Sequence, residues 1–553
     1  MEATKPVDDA APESPADLIG APKDHWDPLQ GSTKAVHPWT TTNLGEAVPG
    51  IVTPLCTSQW ADGGDLTARR VGYAIGVMSK KELEQPDDLG ERITRFFYGQ
   101  CSTNLNYMGL IGDRMPGTTG EEALASLFGK PPEGMTFHPT KRRYPIIAYR
   151  FPRTFIRVPR MLDRVCSQID AWWRRMVVEI PSMELRATLA TVDQGFEQFQ
   201  LGLDTQVLAM MGSFHPMFDA LSRLVEKAGV GDLSVLSGSG GAEIAVVSDI
   251  WRASRGEITV DDVVRNHGFH GPNEGEISSR VWREDPSPLH TVIEHYKKLP
   301  DTENPARLDE ERERRRVEMT KQLLAALPRS QRAGAKLILE LARRRVPHRG
   351  RAKRSFLQAT DVARAAARRA GDLMAADGMI DDRDDVFYLL REELTGTLPP
   401  DVKDLIAKRK RRRETYRRIA FRSTEWYGMP DAYVIEDTDG PAADDNGAIT
   451  GTGASSGVAE GIVRVVEDPT FADVEPEEIL VAPTTDPSWC SIMYVSSALV
   501  IDMGGMLSHA AVVARELEIP CVVNTRDATS RLRTGDRVRV DGKAGTVEIL
   551  ERA

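Results

Sequence analysis

A histidine stands behind two glycines and a serine, where an apolar, strand-like run gives way to a helix-like one. The stretch reads Asp502-Met503-Gly504-Gly505-Met506-Leu507-Ser508-His509-Ala510-Ala511-Val512-Val513-Ala514-Arg515-Glu516-Leu517. Ser508 is a good N-cap, which places His509 at the first helical position. The first turn of a helix carries backbone N–H groups without intrahelical partners, and with the helix dipole they favour an anion such as a phosphoryl group. The same field disfavours an imidazolium, so the ring stays neutral and nucleophilic near neutral pH. Gly504 and Gly505 let the backbone approach a bulky phosphate. The chemistry that fits is attack on a phosphoryl donor, retention as a phosphoramidate, and transfer onward. A helix-capping histidine without chemistry fits the local pattern equally well, because glycine before a helix is common.

The elements that present this histidine follow from the texture of the chain. After Gly451, short β-branched runs alternate with turns: Gly461–Val466, Ile479–Ala482, Ala498–Ile501, Cys521–Asn524, Arg537–Val540 and Gly545–Leu550, with a helix from about His509 to Leu517 among them. This predicts a compact β/α domain over 451–553, a usual domain size. Residues 436–450 (EDTDGPAADDNGAIT) are acidic and nearly without apolar side chains, and read as a flexible linker. Such a linker spans roughly 20 Å and reaches about 50 Å when taut, enough for the following domain to relocate. Residues 36–435 are mostly helical in pattern, as in Arg307–Ala342 and Asp361–Ala376, with stops at Pro328 and Pro347. Residues 1–35, rich in Pro, Ala and Asp, read as a disordered arm. The expected fold class is multidomain α+β: a large, mostly helical domain followed by a small β/α domain.

Bulk properties narrow the function. The 553 residues are 41% hydrophobic and 28% charged, ordinary for a soluble protein. No apolar run of about 18 residues predicts a membrane span, and no basic start followed by an apolar stretch predicts a secretory signal. The five cysteines form no CxxC pair, so neither zinc nor a disulfide framework is suggested, and a cytoplasmic location is expected. No metal site is assigned. The net charge of −11 argues against nucleic-acid binding. The basic runs Lys408–Arg413 and Arg343–Arg345 read as solvated helix faces, with phosphate binding or partner docking as the alternative.

Beyond the local pattern, the region from about Gly451 to Leu550 resembles the swivelling phosphohistidine domain of phosphoenolpyruvate synthase, pyruvate phosphate dikinase and rifampin phosphotransferase. The resemblance rests on GASSGVAEG (453–461), TTDPSW (484–489), GGMLSHAAVVARELEIPCVV (504–523) and TGDRVRVDGKAGTVEIL (534–550), in that order. It implies that His509 is the phosphorylated residue and that Thr485, Asp486 and Trp489 lie on a turn facing the histidine loop, with Thr485 and Asp486 orienting it. Simple turn chemistry also accounts for Thr-Asp-Pro. Leu507 stands where synthases and dikinases often carry a regulatory threonine, so that regulation is not expected. Arg515 lies on another side of the helix and reads as a structural residue.

The front region is similar to the acceptor-binding domain of rifampin phosphotransferase and of phenylphosphate-synthase-like proteins. The pieces are WTTTNLGEAVPG (39–50) with VTP (52–54), FYG (97–99), Asn104, GSGGAE (238–243), HGFHGPNEGEISSRVWRED (267–285) and DDVFYL (384–389). In rifampin phosphotransferases a histidine and an arginine tend to stand where this chain has Phe269 and His270, which implies a different acceptor. Arg349-Gly350-Arg351-Ala352-Lys353 resembles an R-E-x-x-K segment with Gly350 in place of the acid. Arg349 and Lys353, four apart on one helical face, are thereby candidate phosphate ligands; a solvated basic face is the alternative.

Neither an ATP-grasp domain nor a phosphoenolpyruvate-handling barrel is recognised in the sequence. The expectation is therefore a separate ATP-grasp subunit that binds ATP and Mg2+ and loads His509, with no tightly bound cofactor on this chain. Phenylphosphate synthase and hydroxyacetophenone (alkylphenol) phosphotransferases look divided in this way, so a small phenolic acceptor is expected. A phenol has a pKa of about 10, so a base helps; His267, His270 and Glu274 are the candidates, with His215 behind them. Histidines with satisfied hydrogen bonds in a loop or core are the alternative. The competing functions are a non-catalytic phosphorelay or regulatory subunit, and a phosphotransferase acting on a non-phenolic hydroxyl (an antibiotic or a pyruvate-like acceptor).

Overall fold

The computed structural model describes residues 14–21, 23–31, 36–42, 44–86, 91–128, 131–229, 241–435, 448–467, 474–475, 478–485, 489–505 and 508–553. Three long helices form the body: Tyr144–Glu179, Leu185–Ala209 and His348–Ala376. The last is rich in alanine, the best helix former, and buries Ala359, Ala363, Ala366, Ala367 and Ala370. Small side chains let Leu185–Ala209 come close. A Cβ on Gly195 would sit 2.7 Å from the Ala363 Cβ, and one on Gly202 would sit 2.9 Å from the Phe356 backbone. Around this seam Trp60, Phe199 and Phe356 meet edge to face, with ring centroids 5.1–5.9 Å apart, the preferred aromatic geometry.

A four-stranded antiparallel sheet closes one end, in the order Thr94–Phe97, Gln100–Asn104, Pro38–Thr40, Glu425–Tyr427. It pairs Trp39 with Trp426 and so ties the start of the body to its end. The expected disordered arm is partly corrected. Residues 23–31 lie on the body, with Asp27 and Leu29 almost fully buried. Asp27 accepts a hydrogen bond from the Tyr416 hydroxyl at 2.5 Å and pairs with Arg412 at 3.1 Å. These anchors stand almost four hundred residues away, so local composition cannot reveal them. The charged stretch after residue 305 is two helices, Pro305–Ala326 and Arg329–Arg345, broken at Pro328.

The C-terminal unit is built on an eight-stranded sheet. Its order is Ile449–Thr450, Thr546–Glu551, Arg537–Asp541, Val458–Val465, Ile479–Ala482, Ala498–Ile501, Cys521–Val523, Thr452–Ser455. Val458–Val465 through Cys521–Val523 run parallel. Ile479–Ala482 and Ala498–Ile501 are buried along their whole length, as parallel strands covered on both faces must be. The unit begins earlier than expected. Ile449 is fully buried and pairs with Val547, so residues 449 and 450 belong to the sheet rather than to the linker; residues 436–447 lie outside the described ones. The chain is thus multidomain α+β, with the small β/α unit at its C-terminal end. Among the described residues no helix is long and apolar enough to cross a membrane.

The apolar clusters do not follow the expected division. Val246, Trp251, Val263, Trp282, Leu289 and Tyr296 share one cluster with Leu480, Met493, Ala510, Ala511 and Val513. The helices Gly241–Ser254, Val260–His267 and Ser287–Lys298 therefore pack with the C-terminal unit, and Tyr296 lies against Tyr494 at 6.2 Å between centroids.

Candidate active site

His509 heads the helix His509–Leu517 as the residue pattern predicts. Ser508 is the N-cap and accepts a hydrogen bond from the Ala511 N–H at 3.2 Å, while its own N–H donates to the Gly505 carbonyl at 3.0 Å. A Cβ on Gly504 would lie 3.1 Å from the Ser508 hydroxyl oxygen and 3.4 Å from the Val523 Cβ. The loop is therefore folded back onto its own cap, a path that depends on glycine at 504. Two adjacent parallel strands, Ile479–Ala482 and Ala498–Ile501, end side by side, so the segments leaving their carboxyl ends start next to one another. Asp502 N–H donates to Ala482 O at 3.1 Å and Met503 N–H to Pro483 O at 2.9 Å, clamping the loops together. Across that clamp the Thr485 hydroxyl lies 3.0 Å from His509 Nδ1. Thr485, Ser508 and His509 are all buried.

Asp502, which the sequence reading passed over, braces the same loop from behind. Its carboxylate accepts from the Thr525 hydroxyl at 3.0 Å, the Thr529 N–H at 3.2 Å and the Thr529 hydroxyl. Burial pushes the Asp502 carboxyl up from its ordinary value, against the pull of those donors. Arg515 donates to the Ala454 carbonyl at 3.0 Å, consistent with a structural role. Asp486 and Leu507 lie outside the described residues.

A second cluster forms around the 267–285 segment. His270 Nδ1 lies 2.7 Å from a Glu274 carboxylate oxygen, and the other oxygen of Glu274 lies 3.5 Å from Lys353 Nζ, an ion-pair distance. Burial pushes the Glu274 carboxyl up, but the His270 ring and the Lys353 ammonium outweigh it and hold it below its ordinary range. His270, Glu274 and Lys353 thus converge. His267 does not join them. Its Nε2 lies 3.1 Å from Asp249, its ring stands 6.4 Å from that of His270, and burial above all holds its pKa down, at about 4. His267 is buried, its Nε2 at hydrogen-bond distance from Asp249, and does not touch Glu274 or Lys353 among the described residues. Arg349 lies on the helix His348–Ala376, one turn before Lys353; its side chain lies outside what is described. His215 starts the helix His215–Ala228 beside Phe214.

The backbone of this segment is fixed by residues that carry no signature in the sequence. Buried Arg364 donates to the carbonyls of Glu274, Glu276 and Ile277 at 3.0–3.1 Å. Asp361 pairs with Arg283 at 2.8 Å and accepts from Trp173 Nε1 at 2.8 Å. The separate motifs of the front region meet here. Glu276 accepts from Thr53 N–H at 3.0 Å and Thr53 hydroxyl at 2.6 Å, and Trp60 Nε1 donates to Gly275 O at 3.0 Å. A Cβ on Gly275 would sit 1.9 Å from Ala47 O, so only glycine fits.

The two clusters are linked through packing. The His270 ring lies 5.9 Å from that of Trp282, and Trp282 shares its apolar cluster with Ala510 and Ala511, the two residues after His509. A carboxylate-backed imidazole can take a proton from a hydroxyl. A histidine at a capped helix start, its Nδ1 engaged, can carry a phosphoryl group. Among the described residues no three His, Cys, Asp or Glu side chains are grouped to hold a metal ion.

Two stretches of the chain match known families. Residues 474–545 match the mobile domain of PEP-utilising enzymes, and residues 257–350 match the fourth domain of rifampicin phosphotransferase. An uncharacterised protein of Mycobacterium tuberculosis is 38% identical over 225 residues, covering 40% of this chain and 25% of that protein. An uncharacterised phosphotransferase of Bacillus subtilis is 36% identical over 194 residues, covering 34% and 23%. Rifampicin phosphotransferase of Streptomyces sviceus is 29% identical over 301 residues, covering 53% and 34%. The chain thus spans about a quarter to a third of the length of these relatives.

Proposed function

From a chain whose C-terminal unit is a mobile domain of the PEP-utilising type, we propose that His509 carries a phosphoryl group to the hydroxyl of a small acceptor held by the helical body. The observation that carries this reading is the contact between Thr485 and His509 Nδ1 at 3.0 Å, at the head of a Ser508-capped helix. In the productive tautomer Nδ1–H donates to the Thr485 hydroxyl, and Nε2 bears the lone pair that attacks the donor phosphorus. The donor's leaving oxygen departs with the bonding pair, and the phosphoramidate that remains is stabilised by the helix start. In the second transfer the acceptor oxygen attacks, its proton goes to the base, and the N–P electron pair returns to the imidazole.

His270 is the base in this reading, oriented by Glu274, with Lys353 placed to meet negative charge. The acceptor is a phenol, whose proton a carboxylate-backed imidazole can share. ATP with Mg2+ is the donor, bound by a separate ATP-grasp subunit. The relatives named rifampicin phosphotransferase support transfer to a hydroxyl.

A chemical donor tests the carrier directly. Potassium phosphoramidate, then an ATP-grasp partner with ATP, is expected to load an acid-labile, base-stable phosphate on the wild type and none on His509→Ala. Aryl phosphate formed by His509→Ala from partner, ATP and phenol would overturn the mechanism. Loading without transfer to any of a panel of phenols and aliphatic alcohols would favour the phosphorelay reading.

A further inference from the structure

A cavity of about 410 Å³ opens between the end of the helix Tyr144–Glu179, the 280–284 segment and the second half of the helix His348–Ala376. It is not the His270–Glu274–Lys353 cluster. From Lys353 to Arg368 the helix advances roughly 22 Å at 1.5 Å per residue. One wall is apolar: Val177, Ile180, Pro181 and Ala365. The rest carries five guanidinium groups, from Arg280, Arg283, Arg368, Arg369 and Arg383, against three carboxylates. Positions 365, 368, 369 and 372 lie on one helical face, so the helix offers this lining as a unit.

The partners of these charges decide what the cavity can take. Arg368 pairs with Glu284 and with Asp384 and donates to Ser278 O, which fixes its plane over Phe387. Arg383 pairs with Asp372 at 3.3 Å. Arg283 is held by buried Asp361, behind the wall. The three carboxylates of the lining are thereby all engaged by arginine. Arg369 donates through Nε to Met183 O at 3.1 Å, and no carboxylate pairs with it among the described residues. Arg280 is exposed and makes no hydrogen bond or ion pair among the described residues. Two guanidinium groups thus reach an otherwise braced cavity without a direct bond to any carboxylate of its lining, although the Arg280 charge also draws on the neighbouring Asp285. A guanidinium fork fits the oxygens of a phosphate two at a time, and an apolar wall beside it takes a hydrophobic body.

We propose that this cavity binds a phosphate monoester with an apolar body, of the aryl phosphate class, with Arg280 and Arg369 on the phosphate and Val177, Ile180 and Ala365 on the body. The site is independent of the relay through His509. It is nevertheless wired to the acceptor cluster: Arg283 holds Asp361, Asp361 lies 3.5 Å from Arg364, and Arg364 holds the backbone of Glu274.

Isothermal titration with phenyl phosphate, inorganic phosphate and phenol tests the assignment on the full chain. Phenyl phosphate is expected to bind tighter than either of the others. Arg280→Gln/Arg369→Gln is expected to weaken it at least tenfold, while Lys321→Ala, at an exposed lysine outside the lining, changes the same affinity less than twofold. No saturable binding by the wild type, a loss in Lys321→Ala as large as in the arginine variant, or inorganic phosphate binding as tightly as phenyl phosphate would each overturn the proposal. Should the double variant unfold, Arg280→Gln alone replaces it, because that side chain has no bond to lose; there a loss of at least threefold supports the site and an unchanged affinity rejects it. Loading of His509 by phosphoramidate reads the relay separately, so failure of one is distinguishable from failure of the other.

Discussion

At the residue scale, two histidines of the same sequence class have opposite fates. His509 meets a hydroxyl at the start of a helix, whereas His267 is sunk beside Asp249. The Thr485 hydroxyl engages Nδ1 of His509, and in the proposed relay it accepts the Nδ1 proton so that Nε2 is left to attack. Thr485→Val keeps the shape and removes the hydroxyl. It is expected to slow loading by phosphoramidate by about 10- to 100-fold, as for the loss of a partner that orients a metal-binding histidine, with unchanged circular dichroism. His267 leads to a stability prediction. Its folded pKa of about 4 lies below its ordinary 6.5, so folding favours the neutral ring. That contribution is fully present above 6.5 and is lost as pH falls from 6.5 through 4. At about 1.4 kcal/mol per pH unit of displacement, it is worth up to about 3 kcal/mol. His348, also held at about 4 by burial, falls in the same window. Urea unfolding from pH 7.5 to 4 is therefore expected to show falling stability, with a shallower fall in His267→Asn. An equal fall in that variant would place the effect elsewhere.

At the element scale, the loop from Asp502 to Ser508 works because two strands end together and a glycine lets the chain fold onto its cap. Ser508→Ala removes the acceptor for the Ala511 N–H and is expected to cost about 1 kcal/mol, the usual worth of an N-cap. Gly504→Ala is expected to act differently. Its methyl would press on Ser508 at 3.1 Å, so loading of His509 falls severalfold while the melting temperature moves little, as thermal melts and phosphate incorporation measured side by side would show. What was legible in the sequence follows the same elements. Ile479–Ala482, Ala498–Ile501 and the helix from His509 were readable because buried β-branched runs and a Ser-capped start are local patterns. The edge strand Ile449–Thr450 was not, since two residues carry no periodicity and the acidic run before them reads as linker. The six-residue helix Cys490–Val495 is equally short. Within the site, the histidine motif was legible. The brace of Arg364, Asp361 and Arg283 was not, because its partners lie about 80 residues apart in sequence and look like ordinary charges on an amphipathic helix.

At the scale of the whole molecule, the proposed relay needs the histidine unit to leave the position it occupies here. Its present seat is the apolar cluster joining Trp251, Tyr296 and their neighbours to Met493 and Ala510. Arg315 and Glu518, an ion pair at 2.8 Å, join the helix Pro305–Ala326 to the end of the histidine helix. The two contacts differ in strength. A half-exposed pair is worth up to about 1 kcal/mol, whereas an aromatic contact contributes about 0.5–1.5 kcal/mol in addition to the apolar area it buries. Tyr494→Ala is therefore expected to release the seat far more than Glu518→Arg. The release has opposite consequences for the two half-reactions. An unseated unit exposes His509, which is buried in this arrangement, so loading by a donor speeds up. Transfer to an acceptor in the helical body slows, because the phosphohistidine spends less time docked. Hydrogen exchange over residues 498–517 would report the release, and single-turnover loading and transfer would report its effects. Faster exchange accompanied by equal slowing of both half-reactions would mean that Tyr494 supports the fold of the unit rather than its seat. Faster loading with slower transfer identifies the docked arrangement as the one that serves the acceptor.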